Sequence, residues 1–197
     1  MRADAQRSYD RILAVAGDVF VEQGADASMN EIAKRAGVGP GTLYRHFPDR
    51  DHLLDVLLKD WVGQIQAAAD QVLAAGLRPR ELLITWFEAI VAHISVHRGG
   101  AARLTAALGN SGSTMVTKWE GLAAANGSVL RRLEAQHAIR ARVDSIQICR
   151  LVGGVATVAD AGALDRDDTR DLLVLIADGL LVDEDLPHPW PKVWPAV

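Results

Sequence analysis

Between Gly41 and His46 the chain sets Thr42, Tyr44, Arg45 and His46 around a single leucine, Leu43. Read as a helix, this stretch turns Leu43 and Phe47 to one side. Gly41, Thr42, Tyr44, Arg45 and His46 are left on the outer and end surfaces. A hydroxyl, a phenol, a guanidinium and an imidazole displayed together make a hydrogen-bonding surface. A helix about 10–12 Å across fits the major groove of double-stranded DNA with its N-terminal residues near base edges. On this reading Tyr44, His46 and Arg50, with Ser28 upstream, chiefly hold phosphates, while Gly41, Thr42 and Arg45 lie near bases. Pro40 opens the helix and completes the contact set.

Local signals place these residues. Ser28 and Glu31 have capping-box spacing, which predicts a helix from about Met29, with Ile32, Ala33 and Ala36 on its apolar face and Lys34 and Arg35 toward solvent. Gly37 stands where a left-handed residue stops a helix cheaply. Gly39 is a tolerable N-cap and Pro40 suits the first helical position, because its missing N–H had no partner there. Two short helices about a tight turn are a helix-turn-helix.

The run SMNEIAKRAGVGPGTLYRHFPDRDHLL closely resembles the DNA-binding signature of the tetracycline-repressor (TetR) family: the IA..AGV turn, the GTLY.HF recognition helix and a downstream basic residue, Arg50. It differs at Gly39, where the family often carries Ser or Thr; the lost hydroxyl would have capped the helix and touched a phosphate. The resemblance implies an all-α protein. An N-terminal three-helix DNA-binding domain would span 1–48, and a C-terminal helical bundle for ligand binding and dimerisation would span 49–197. It further implies a homodimer on a palindromic operator, released by a small-molecule effector, and favours repression.

Composition sets the frame. The chain has 197 residues, 49% of them hydrophobic, a single cysteine and a net charge of −4. One intramolecular disulfide is excluded, no apolar N-terminal run resembles a signal peptide, and no uncharged stretch reaches membrane length. A cytoplasmic protein without a membrane partner is expected. Lys34, Arg35, Arg45 and Arg50 gather in the motif, whereas acids gather later, at Asp165, Asp167, Asp168, Asp171 and Asp183 to Asp185. A basic reading surface can therefore sit on an acidic body.

The flanking elements follow from periodicity. Tyr9, Ile12, Leu13, Ala16, Val19 and Phe20 predict a first helix from about Arg7 to Gly24, after a frayed 1–6; its Arg7 and Arg11 could reach phosphate. Asp49 is the expected N-cap of a long helix to about Ala75, with His52, Leu53, Val56, Leu57, Trp61, Ile65, Ala68, Val72 and Leu73 inward. That helix links the motif to the remaining chain. Pro79 to about His97 has an apolar face wide enough to be central, and a short helix 101–108 and a loop 109–112 follow. Thr114 to about Ala138 is expected to bend at Asn126, Gly127 and Ser128. A helix capped by Asp144 runs to about Ala161, and the last one spans about Asp167 to Leu181. Both carry more apolar surface than one core requires, which points to a four-helix dimer interface. Repeated prolines exclude helix from the tail 183–197, whose Trp190 and Trp194 would anchor it on a groove.

Other constellations carry less. Trp86, Phe87, Ile90 and Trp119 would line an effector pocket or fill the core. His93 and His97 have metal-ligand spacing, but a third ligand is not evident, so no metal or cofactor is expected. Cys149 reads as a buried small hydrophobe. The alternative to a regulator is an all-helical enzyme or small-molecule carrier with an incidental helix-turn-helix.

Overall fold

The computed structural model describes residues 2–23, 27–95, 114–140, 143–162 and 164–182. The expected helix 101–108, the loop after it, His97 and the Trp-containing tail lie outside them. Among the described residues there are eight helices: α1 Arg2–Gln23, α2 Met29–Arg35, α3 Pro40–His46, α4 Arg50–Ala74, α5 Pro79–Ile94, α6 Thr114–Ala135, α7 Ser145–Asp160 and α8 Arg166–Leu180. No described helix is long and apolar enough to cross a membrane.

Two apolar clusters organise them. The smaller joins Ile12, Ala16 and Val19 of α1 to Ile32, Ala33, Leu43, Phe47 and Leu53, so α1 is the floor beneath α2 and α3. It begins at Arg2, five residues earlier than expected. Gln6 donates to Asp10 and Arg7 pairs with Asp4, so the polar first turns hold themselves by side-chain contacts on the helix surface. The larger cluster is built on α5. Leu82, Leu83, Ile84, Trp86, Phe87, Ile90 and Ile94 are all buried, and α5 packs against α4, α6, α7 and α8.

Helix ends follow their chemistry. The Asp49 carboxylate accepts from the His52 N–H at 2.7 Å, Asp144 from Ile146 at 2.8 Å and Asp165 from Asp168 at 2.9 Å. Gly37, at φ +65°, takes the left-handed residue after α2 that a side chain would resist. The Ser28 capping box, in contrast, does not form. Ser28 is the N-cap by backbone angle but makes no side-chain cap, and Glu31, the other half of the box, is held by Arg35 at 2.8 Å.

α6 runs without interruption through the position of the expected bend. Asn126 is fully buried within a continuous helix. Its Oδ1 accepts from Trp86 Nε1 at 2.9 Å, and its Nδ2 donates to the carbonyl and hydroxyl of Ser145, each at 3.1 Å. The Ser145 hydroxyl in turn donates to Ala123 O at 2.7 Å. The polar residue that interrupts the apolar face ties α5, α6 and α7 together. On α4, His52 is exposed, and Leu58 and Ala69 are buried where the periodicity had not placed them. Past α6, antiparallel bonds between Arg140 N and Leu180 O and between Val182 N and Ala138 O, each 3.0 Å, fasten the end of α8.

Candidate nucleic-acid interface

Leu43 and Phe47 are fully buried, which fixes α3 in rotation and leaves Gly41, Tyr44 and Arg45 exposed and Thr42 half-buried. Tyr44 stands 46% exposed, far more than a phenol serving the core. Pro40 opens the helix after the extended Gly39, as its fixed φ favours.

Beside this face runs an open groove of about 420 Å3 lined by Ala27, Ser28, Met29, Asn30, Tyr44, Pro48, Asp49 and Arg50. Three of the expected phosphate holders, Ser28, Tyr44 and Arg50, thus meet although they come from the start of α2, the middle of α3 and the start of α4. His46 does not join them. Its ring lies edge-on to Tyr9 at 5.8 Å and next to Phe47 at 6.3 Å, in an aromatic cluster that seats α3 on α1. Asn30 lines the groove too and was missed. Its only sequence signal was a place two residues after Ser28.

Charge is distributed less evenly than the motif suggested. Arg35 is bound by Glu22 at 2.6 Å and by Glu31 at 2.8 Å, so its charge is locally matched. The Arg35 hydrogen bond holds Glu31 below the usual carboxylate range, and Arg35 is raised in turn, chiefly by Glu31. Arg7 is likewise paired, with Asp4. Lys34, Arg45 and Arg11 are exposed, and Arg50 is half-buried at the head of α4. The acid in the groove, Asp49, is engaged as the α4 cap.

With this geometry in place, comparison with known proteins is decisive. Residues 12–57 match the model of bacterial regulatory proteins of the tetR family, and residues 78–182 match that of the SbtR-like transcriptional regulator C-terminal domain, more than half of the chain. The chain belongs to the TetR family. A TetR transcriptional regulator of Streptomyces coelicolor is 30% identical, over 87% of this chain and 97% of that one, with a TM-score of 0.59. A TetR transcription regulatory protein of Mycobacterium vanbaalenii is 33% identical over 92% and 99%, with a TM-score of 0.57. An HTH-type transcriptional regulator of Staphylococcus aureus is 50% identical over 54 residues. That match spans only 27% of this chain and 29% of the Staphylococcus protein.

Within this TetR-family chain the other expected site residues lie inside the body. Trp86, Phe87 and Ile90 are fully buried and Trp119 is 9% exposed, so all four belong to the α5-centred core, with Trp86 tied to Asn126. His93, half of the His pair, is occupied otherwise: its Nε2 lies 3.0 Å from Trp61 O and its ring 4.4 Å from the Trp61 indole. Cys149 is buried, and burial pushes its thiol up to about 12, which keeps it protonated and unreactive.

Proposed function

We propose that this chain is a dimeric transcriptional repressor that reads an inverted-repeat operator through α3 and leaves it when a small-molecule effector binds the C-terminal body. The observation that carries the DNA-binding reading is the groove shared by Ser28, Tyr44 and Arg50 next to the exposed Gly41, Thr42 and Arg45. A phosphate in that groove would fix the register of α3 while Arg45 meets a base edge. His46 and Pro40 shape and seat the helix. Family membership favours this over an enzyme or carrier.

Dimerisation is supported by apolar surface that stands exposed among the described residues. On α7, Leu151 is 54% and Val158 44% exposed; on α8, Leu172 is 36% and Leu175 68% exposed. Gly154 and Gly179 lie along the same two stripes with open space beside them. The opposite faces, with Cys149, Val152, Leu173 and Ala177, serve the protomer's own core. Two helices apolar on both sides suit a four-helix contact with a second copy. For the effector, the aromatic α5 face around Trp86, Phe87 and Ile90, with Trp119 opposite, is the family-based candidate.

A gel shift with the DNA flanking the gene, followed by selection of the bound sequence, tests the reading. Arg45→Ala should cost about 1–3 kcal/mol at particular base pairs and relax preference there. Tyr44→Ala should weaken binding across all sequences. Arg50→Ala should reduce the salt dependence by about one counterion per subunit. Parent-like binding by all three variants would remove α3 as the reading element.

A further inference from the structure

Three helices converge on the Trp61 indole. From α6, the Lys118 ammonium lies over the ring, 5.2 Å from its centroid, within cation–π range. From α5, the His93 imidazole packs against the same indole at 4.4 Å, with Nε2 3.0 Å from the Trp61 carbonyl oxygen. A carbonyl only accepts, so Nε2 carries the proton and Nδ1 of the neutral ring keeps its lone pair.

Lys118 is half-buried, yet no described carboxylate pairs with it, and the chain from His93 to Lys118 contains no Asp or Glu. Burial pulls its ammonium below the usual lysine range. His93 is depressed too, first by burial and further by Lys118; Asp60 and the Trp61 carbonyl pull the other way. Asp60 itself accepts from Gln64 at 2.8 Å. Among the described residues an indole alone compensates this half-buried ammonium, which leaves it short of a counter-ion there. The ligand that repairs this best is a monoanion with an apolar body, whose charge meets Lys118 and whose carbon skeleton rests on Trp61. A phosphate dianion would need more positive charge than one ammonium and a neutral imidazole offer.

The position matters as much as the chemistry. Leu53, Val56 and Leu57 of α4 pack in the reading head, whereas Trp61, Ile65, Ala69 and Val72 pack in the body. Trp61 is therefore the first α4 residue on the body side of the seam, where a ligand touches the helix that carries the head.

We propose that Lys118, with Trp61 and His93, binds the carboxylate of a small apolar organic acid, and that such acids are the effector class. This deepens the effector-responsive reading above and rests on it. The test uses the full chain, with benzoate and octanoate as probes and benzamide and octanamide as neutral counterparts, titrated by calorimetry against the parent, Lys118→Met and Lys118→Arg. At least one acid should bind the parent, weaken roughly tenfold or more in Lys118→Met, and be largely retained in Lys118→Arg, while the amides should not distinguish the variants. No acid binding up to about 10 mM, or equal acid binding by Lys118→Met, overturns the site.

The selected operator duplex separates this proposal from the reading beneath it. An acid that binds through Lys118 and weakens operator affinity supports both. One that binds through Lys118 without affecting the operator keeps the carboxylate site and defeats the effector assignment. An acid that releases DNA equally well from Lys118→Met leaves effector response standing and removes this site.

Discussion

Asn126→Leu tests whether the buried polar network holds the body together. The substitution keeps the branched shape and opens no cavity, and although its methyl groups crowd the site more than the amide atoms do, the loss of polar partners is the main contribution. It strands the Trp86 indole N–H, which is buried and now donates to Asn126 Oδ1 at 2.9 Å. A buried donor without a partner costs about 1–3 kcal/mol. It also removes the two donations to Ser145, worth about 0.5–1.5 kcal/mol each but partly replaced by water, because Ser145 is only half-buried. The expected loss is about 2–4 kcal/mol in urea unfolding followed by far-ultraviolet circular dichroism at fixed protein concentration. Trp86→Phe alone should strand Asn126 in the mirror sense, and the double variant should lose about 1–3 kcal/mol less than the sum. A stability within about 0.5 kcal/mol of the parent, or strict additivity, would refute the argument. The result bears on function, since a ligand that displaces Trp86 must break the same bond.

Three further outcomes follow from the packing. A Cβ built on Gly121 would come within 2.7 Å of Val62 Cγ2 and 3.0 Å of Cγ1. Since Val is stiff at χ1 in a helix, Gly121→Ala should destabilise by about 1–3 kcal/mol despite a propensity gain near 1, and Val62→Ala should rescue it; a more stable single variant refutes the close contact. Leu175→Asp should give a folded monomer in sedimentation at concentrations where the parent is dimeric, by placing an unpaired charge in the proposed interface; a persisting dimer puts the contact elsewhere. Val155 is a poorer probe because it packs against its own core. His93 is held below its usual 6.5, so the unfolded chain takes up a proton first as pH falls. The parent should lose stability as pH drops through about 6.5 and level off below the folded value. His93→Gln, which can still donate to Trp61 O, should flatten that part of the profile, and an unchanged slope assigns it to other groups.

The reading head was legible because its signals are local. Gly37, Pro40 and Asp49 act within a turn of themselves, and Leu43 and Phe47 need only helical phase to show which side of α3 faces out. What local signals left out depended on which partner each polar group finds in the fold. Glu31 looked free to complete the Ser28 cap, but Arg35 holds it, and Glu22 on α1 helps fix that Arg. Asn126 reads as an interruption of the apolar face because its partners, Trp86 and Ser145, lie 40 and 19 residues away. His93 has metal-ligand spacing to His97 in the sequence, but its contacts with Trp61 of α4 could not be read from that spacing. The proposed dimer surface rests on exposure that the sequence showed only in part. Excess apolarity on α7 and α8 was plain, but which residues face out depended on the core, and Cys149 and Val152 turned inward while Leu151 and Val158 turned outward.

The effector reading makes a quantitative demand that the proposed carboxylate site can meet only if its ion pair is shielded. Turning a population from 99:1 to 1:99 takes about a 10⁴-fold preference, roughly 5.5 kcal/mol, or about 100-fold per site in a two-fold dimer with both sites filled. An exposed ion pair contributes about 0–1 kcal/mol, too little for that share. A hydrogen bond to a charged group contributes about 1.5–3 kcal/mol, and Lys118 is half-buried and lacks a described counter-ion. Each buried methylene of the acid adds about 0.8 kcal/mol. None of this shifts the equilibrium unless it is gained in one arrangement and absent from the other. α4 is the element that could make it so, because among the described residues it alone contributes to both apolar clusters, with the proposed site at the junction. A tilt of α4 that moves the head moves Trp61 relative to Lys118 and His93. Operator DNA must then weaken acid binding by the same total factor by which the acid weakens operator binding. Equal acid affinity with and without operator would exclude ligand-driven release even with Lys118 firmly established as the binding residue.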